Sequence, residues 1–105
     1  MITAKEARQL YNETVLLRDK YIEEVIEPLI RKTAPASQSV TVDVIGGHSA
    51  RSINFPEPYA QNGVNIALTD LVTKTLIESG YKIHYLGGFG TEKHYSEGKL
   101  IISWE

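Results

Sequence analysis

Residues 4–30 constrain the fold most strongly, because their apolar side chains recur at helical spacing. The apolar positions lie three and four residues apart, the period of one helix face, and are Ala7, Leu10, Tyr11, Thr14, Leu17, Tyr21, Val25 and Leu29. Thr3 and Glu6 form a capping-box pair, which predicts a helix start at Ala4 with Thr3 accepting from the Glu6 amide and Glu6 reaching back to the Thr3 amide. Pro28 lacks an amide hydrogen and crowds the Glu24 carbonyl, so the helix over 1–33 should kink there or restart with Pro28 as its first residue, and we predict a bend near 24–28.

The rest of the chain alternates strand and helix patterns. Strict alternation of apolar residues predicts strands over 40–45 and 81–86 and a last strand containing Leu100, Ile102 and Trp104. Between the first two strands, Asn65 is placed as the N-cap of a helix over about 66–79, and Gly80 supplies its left-handed C-terminal residue. Residues 48–65 match neither period, and a loop of that length is uncommon unless it has a function.

These patterns predict an α+β protein with a long N-terminal helix followed by a βαββ core. The 105 residues leave room for one domain, 1–105, in which 1–33 form the kinked helix and 40–105 the core. We expect a three-stranded mixed sheet covered by helices, in which 40–45 and 81–86 run parallel and end at the same edge. A domain this short has a thin core to which association adds stability, so we expect a homo-oligomer.

Composition excludes some classes of function and leaves others open. A net charge of −2, from 11 Lys and Arg against 13 Asp and Glu, provides no basic field for a nucleic acid, so we do not expect that partner. The absence of cysteine excludes a disulfide framework and a thiolate nucleophile. We find no pattern of a secretory signal and no apolar run long enough for a membrane span, so we expect no membrane association and a cytoplasmic protein.

Two glycine-bearing loops are predicted to meet at the edge where the parallel strands end. The start of the 66–79 helix would lie at the same edge, where its amides and positive dipole end favour an anion. We therefore predict a site for a nucleotide or another phosphate-bearing ligand, although glycine pairs also serve simply to end strands. The candidate ligand-binding residues are Gly47, His48, Ser49, Arg51, Asn65, Gly88, Gly90, Thr91, Lys93 and His94.

Other chemistry has weaker support in the sequence. The three histidines, His48, His84 and His94, lack the spacing of a metal set, so no metal site and no cofactor is predicted. A hydrolase could combine Ser49, His94 and Asp43, but no motif connects them, and we lean against an enzyme and predict no catalytic residues. The loop aromatics Phe55, Tyr59 and Phe89 could stack on a base or could pin their loops to the domain.

The first helix has more apolar surface than one stripe requires. A thin sheet would not bury all of it, so we predict that the helix also contacts a second copy or a host protein. The candidate interface residues are Tyr11, Leu17, Tyr21, Ile22 and Ile26. Burial against the protein's own sheet is the alternative for most of them.

The segment order resembles that of small accessory proteins of tailed bacteriophages. The resemblance rests on a charged N-terminal helix, a helix that ends in Ser79-Gly80-Tyr81-Lys82-Ile83, and a last strand that ends in Ile101-Ile102-Ser103-Trp104. It implies a phage protein that acts in the host cytoplasm as a binding protein, including one that counters host defence, and it implies no catalytic residues. The alternative is a structural or assembly protein of the virion that uses the N-terminal helix for oligomer contacts.

Overall fold

The computed structural model describes residues 1–46, 51–86 and 96–105. Its helices are α1 (Ala4–Tyr21), α2 (Glu27–Thr33) and α3 (Ile66–Glu78), with a π-helical segment, Ile22–Ile26, between α1 and α2 and a short 3-10 turn at Gln61–Gly63. Its strands are β1 (Ser39–Gly46), β2 (Arg51–Ile53), β3 (Lys82–Leu86) and β4 (Ser96–Ser103). The prediction of an α+β protein with a long N-terminal helix is confirmed.

Local signals place the ends of the helices correctly. Thr3 caps α1, with its side chain accepting from the Glu6 amide at 3.1 Å, but the Glu6 carboxylate accepts from the Thr3 hydroxyl rather than from the Thr3 amide. Asn65 caps α3, and Gly80 follows it at a φ of +98°.

Pro28 affects the helix one turn earlier than its own position. The residues before it form the π-helical segment Ile22–Ile26, which closes with the Glu27 amide donating to the Ile22 carbonyl. Helix α2 then begins at Glu27, with Pro28 in its first turn, where a missing amide hydrogen costs little. The irregularity therefore falls close to the predicted bend at 24–28, but as one extra residue in a helical turn rather than as a restart.

The sheet differs from the predicted three-stranded mixed sheet. It has four strands in the order β2-β1-β4-β3, and every neighbouring pair is antiparallel. The prediction of three strands and a mixed sheet was wrong, because it missed β2 and because β4 lies between the two strands that flank α3, which leaves no parallel neighbours among the described strands. Since β1 and β3 are both antiparallel to β4, they run in the same direction, and Gly46 and Leu86 both end near the start of β4.

Strand β2 lies within the segment that was predicted to be a loop. It has three residues, too few to show a period, and it pairs with the end of β1 through the Val44 to Ile53 register. The pairing continues one residue beyond β2, where the Asn54 amide donates to the Asp43 carbonyl at 2.8 Å.

The two faces of the sheet have different environments. One face packs against the helices and forms a core of buried residues, Tyr21, Ile26, Val40, Val44, Ile53, Phe55, Tyr59, Leu68, Val72, Leu76, Leu100 and Ile102. Residues of the opposite face, among them Asp43, His84, Leu86 and Lys99, are exposed. We call this second surface the open face.

Candidate functional site

The end of β1 brings together two of the predicted ligand-binding residues, Arg51 and Asn65. Arg51 begins β2 opposite Gly46, and the next residue, Ser52, accepts a hydrogen bond from the Asn65 amide at 2.9 Å. The start of α3 therefore lies beside the carboxyl end of β1. The Asn65 side chain, however, caps its own helix by accepting from the Leu68 amide at 3.0 Å, so it already satisfies one of the amides that an anion would use.

Arg51 also contacts the far edge of the sheet. Its guanidinium carbon lies 5.0 Å from the centre of the Tyr85 ring, a cation-π distance, although Arg51 and Tyr85 belong to the two edge strands. Burial raises the pKa of Tyr85, Arg51 lowers it, and Asp70 on α3 raises it. Arg51 and Asp70 thus place opposite charges near one ring.

The remaining predicted ligand-binding residues lie outside the described ranges. They are Gly47, His48 and Ser49 in one segment and Gly88, Gly90, Thr91, Lys93 and His94 in another. The phosphate site therefore stays a prediction, with Arg51 and Asn65 as its described part.

The predicted interface residues divide into core and surface. Tyr21 is 2% exposed and Ile26 is fully buried, so these two belong to the protein's own core and are not available to a partner. Leu17 and Ile22 are partly buried against that core. Tyr11 is 58% exposed and is the member of the set that presents a large ring to solvent. Tyr21 and Ile26 are buried for the same reason, since the sheet and the 54–63 segment cover the second half of the helix.

The first half of α1 makes little contact with the rest of the protein. Residues 1–13 are all exposed, and the molecule measures 50 Å along its longest axis against 23 Å along its shortest. Leu10 and Tyr11, together with Thr14, face α3 across a groove of about 380 Å³ whose other side is Ala67, Asp70 and Leu71. We call this the α1–α3 groove. Its lining is mainly apolar.

The two described loop aromatics pin their segment to the helix. The Tyr21 ring meets Phe55 at a centroid distance of 4.8 Å and Tyr59 at 5.2 Å, both edge to face. The Tyr59 hydroxyl donates to the Glu24 carboxylate at 2.6 Å, and this hydrogen bond is the main cause of the raised pKa of Tyr59. Phe55 and Tyr59 therefore have a structural role, whereas Phe89 lies outside the described residues.

The residues considered for metal binding or catalysis do not converge within the described ranges. His84 is exposed on β3. In the part of the chain that the structure describes, no three His, Cys, Asp or Glu side chains lie close enough together to hold a metal ion. Asp43, considered as a catalytic acid, forms an ion pair with Lys99 on the neighbouring strand.

A cavity on the open face was missed by sequence reasoning. It has a volume of about 390 Å³, and its lining includes Asp43, Ile45, Asn54, Leu86 and Lys99. Asp43 and Leu86 are exposed on their strands, but only the sheet order shows that β4 brings Lys99 between them. No signal in the sequence gives that order.

Comparisons with known proteins give no relative from which a role could be transferred. Neither a family model nor a curated protein nor a solved structure matches the chain. In the described ranges, no helix combines the length and the apolar character needed to cross a membrane.

Proposed function

We propose that the chain is a non-enzymatic binding protein that associates with a second copy of itself through the first half of α1. The observation that carries the proposal is the exposure of residues 1–13, with Leu10 55% and Tyr11 58% exposed on the same patch as the apolar α1–α3 groove. A helical projection of this length is marginal on its own and is usually stabilised by packing of its apolar face.

The choice of a second copy follows from the composition of the patch. Leu10 and Tyr11 are its protruding apolar side chains, and they also line its groove. A patch that contains both the anchor and the depression is self-complementary, which is the requirement for a two-fold symmetric dimer. A tyrosine at the centre of such a contact buries a large area at a small entropic cost.

Analytical ultracentrifugation tests this proposal. The wild-type protein should shift from 11.7 kDa towards twice that mass over roughly 1 to 100 μM, the affinity range of a small interface. Tyr11→Glu places a charge at the centre of the patch and should leave a monomer with an unchanged circular dichroism spectrum.

Leu16→Glu is the matched control. Leu16 is 64% exposed on the same helix, but at 100° per residue it lies roughly 140° around the axis from Tyr11, away from the groove. This variant should dimerise like the wild type. A wild-type protein that stays monomeric at the highest concentration, or a Tyr11→Glu variant that dimerises normally, would refute the proposal.

A phosphate-bearing ligand at the carboxyl ends of β1 and β3 is the second candidate function. It is supported by the sequence neighbour of Arg51, Ser52, which accepts from the Asn65 amide at the start of α3, so that a basic residue belongs to the same strand end as a helix N-terminus. Thermal shift measurements with a nucleotide panel test it, since a bound ligand stabilises by mass action. Stabilisation of the wild type that Arg51→Ala abolishes supports the site, and no stabilisation by any nucleotide excludes it. The phage origin and a host-protein partner stay predictions from the sequence.

A further inference from the structure

The open-face cavity lies on a single row of residues that crosses the whole sheet. Asn54 follows β2 and is hydrogen-bonded to Asp43 on β1, Asp43 is opposite Lys99 on β4, and Lys99 is opposite Leu86 on β3. The backbone hydrogen bonds of an antiparallel sheet therefore fix the spacing of the four side chains. The volume of about 390 Å³ falls within the range of sites for small molecules.

Opposite charges stand next to each other at the centre of this row. The Lys99 ammonium and the Asp43 carboxylate form an ion pair, yet their side chains remain 54% and 63% exposed. A ligand can therefore reach the Asp43 carboxylate and the Lys99 ammonium while the pair persists. Exposed pairs of this kind contribute little to stability, so their geometry can adjust to a ligand without a large cost to the fold.

This arrangement of charge discriminates among ligand classes. An anion attracted by Lys99 meets the Asp43 carboxylate beside it, and a cation attracted by Asp43 meets the Lys99 ammonium. A zwitterion with adjacent ammonium and carboxylate groups matches both members at once. The apolar side chains of Ile45 and Leu86, which also line the cavity, supply a surface for a hydrocarbon group.

We propose that the open-face cavity binds a small zwitterion, a free amino acid with an apolar side chain. Its ammonium group contacts Asp43, its carboxylate contacts Lys99, and its side chain lies against Ile45 and Leu86. The site is separate from the dimer patch on α1 and from the strand-end residues Arg51 and Asn65, and it does not depend on either of those proposals.

Three probes of nearly the same shape test the assignment by nuclear magnetic resonance of the ¹⁵N-labelled protein. Leucine carries both charges, 4-methylpentanoate lacks the ammonium, and 3-methylbutylamine lacks the carboxylate. Leucine should shift the amide signals of Asp43, Asn54, Leu86 and Lys99, and each truncated probe should bind about tenfold more weakly, the loss expected for one charge-assisted hydrogen bond.

Two variants should change the preference of the cavity between the amine and the carboxylate probe in opposite directions. Lys99→Met should weaken leucine about tenfold and leave 3-methylbutylamine bound, whereas Asp43→Asn should weaken leucine similarly and leave 4-methylpentanoate bound. Lys82→Met is the control, because Lys82 is exposed on β3 but does not line the cavity. The proposal is overturned if leucine causes no shifts at these residues at millimolar concentration, or if the three probes bind equally well to the wild type.

Discussion

The hydroxyl of Thr69 joins the start of α3 to the edge of the sheet, and its removal gives a prediction with a calculable size. Thr69 is 1% exposed; its oxygen accepts from the Ile53 amide at 3.0 Å and donates to the Asn65 carbonyl at 2.9 Å. The neighbouring Ser52 hydroxyl donates to the Ile53 carbonyl, also at 2.9 Å. Each hydroxyl has one proton, so the 3.3 Å contact between Ser52 and Thr69 has none left and contributes little.

Thr69→Val keeps the shape of the side chain and removes the acceptor of a buried amide. Ile53 is 1% exposed, so its amide would have no access to water as a substitute. A buried donor left unsatisfied costs about 1–3 kcal/mol, and we expect a loss of about 2 kcal/mol in the free energy of unfolding. That is a large fraction of the roughly 5–15 kcal/mol that stabilises a typical domain.

Urea unfolding followed by circular dichroism measures this loss. Amide hydrogen exchange at Ile53 gives an independent reading, since 2 kcal/mol corresponds to roughly 30-fold faster exchange if the amide exchanges through the same opening.

Two controls separate the hydrogen bond from the change in side chain. Thr73→Val makes the same substitution one turn later, where the hydroxyl donates to the helix carbonyls of Thr69 and Asp70, and should cost less than about 0.5 kcal/mol. Thr69→Ser keeps the hydroxyl and should retain most of the protection at Ile53. Equal losses in Thr69→Val and Thr73→Val would refute the reasoning.

Two further predictions concern a glycine and a buried tyrosine. Gly63→Ala and Gly80→Ala should each lower the free energy of unfolding by about 1–2 kcal/mol, because both glycines have a positive φ, +78° and +98°, which strains any other L residue. An added Cβ at Gly63 would lie 2.3 Å from the Asn54 side-chain oxygen, but that side chain is exposed and can turn away, so a much larger loss for Gly63→Ala in thermal denaturation would contradict the reasoning. Burial, followed by the neighbouring Tyr59, raises the pKa of Tyr21 to about 12. The folded state then holds a proton that the unfolded state loses near pH 10, so stability should fall between pH 10 and 12. Tyr21→Phe should flatten that fall, and an unchanged pH profile would exclude Tyr21 as its cause.

Features that depend on neighbouring residues were predictable from the sequence. Thr3 and Asn65 act within a few residues of themselves, so their helix starts could be read from side-chain type and spacing. The alternating valines of β1 likewise place Val40 and Val44 on the core face without knowledge of the partner strand.

Features that depend on distant pairing were not predictable. The three residues of β2 show no period, and their place at the edge is fixed by Thr69, sixteen positions after Ile53. The burial of Tyr21 and Ile26 similarly depends on Phe55 and Tyr59, which come from a segment without periodicity. The candidate sites share this limitation, because the groove and the open-face cavity are each formed by elements that are far apart in the chain.

The position of β4 explains most of what the sequence could not provide. Strand β4 pairs with both β1 and β3, so the centre of the sheet is completed by residues that follow the other three strands in the sequence. Leu100 and Ile102 contribute fully buried side chains to the same core as Val40 and Val44. Without β4, the β1–β2 pair and β3 would be unconnected edges, and a two-stranded ribbon is marginal in water. Sheet formation is therefore non-local and should be slow relative to helix formation. The same insertion places Lys99 beside Asp43, so the proposed zwitterion site cannot exist before the sheet is complete.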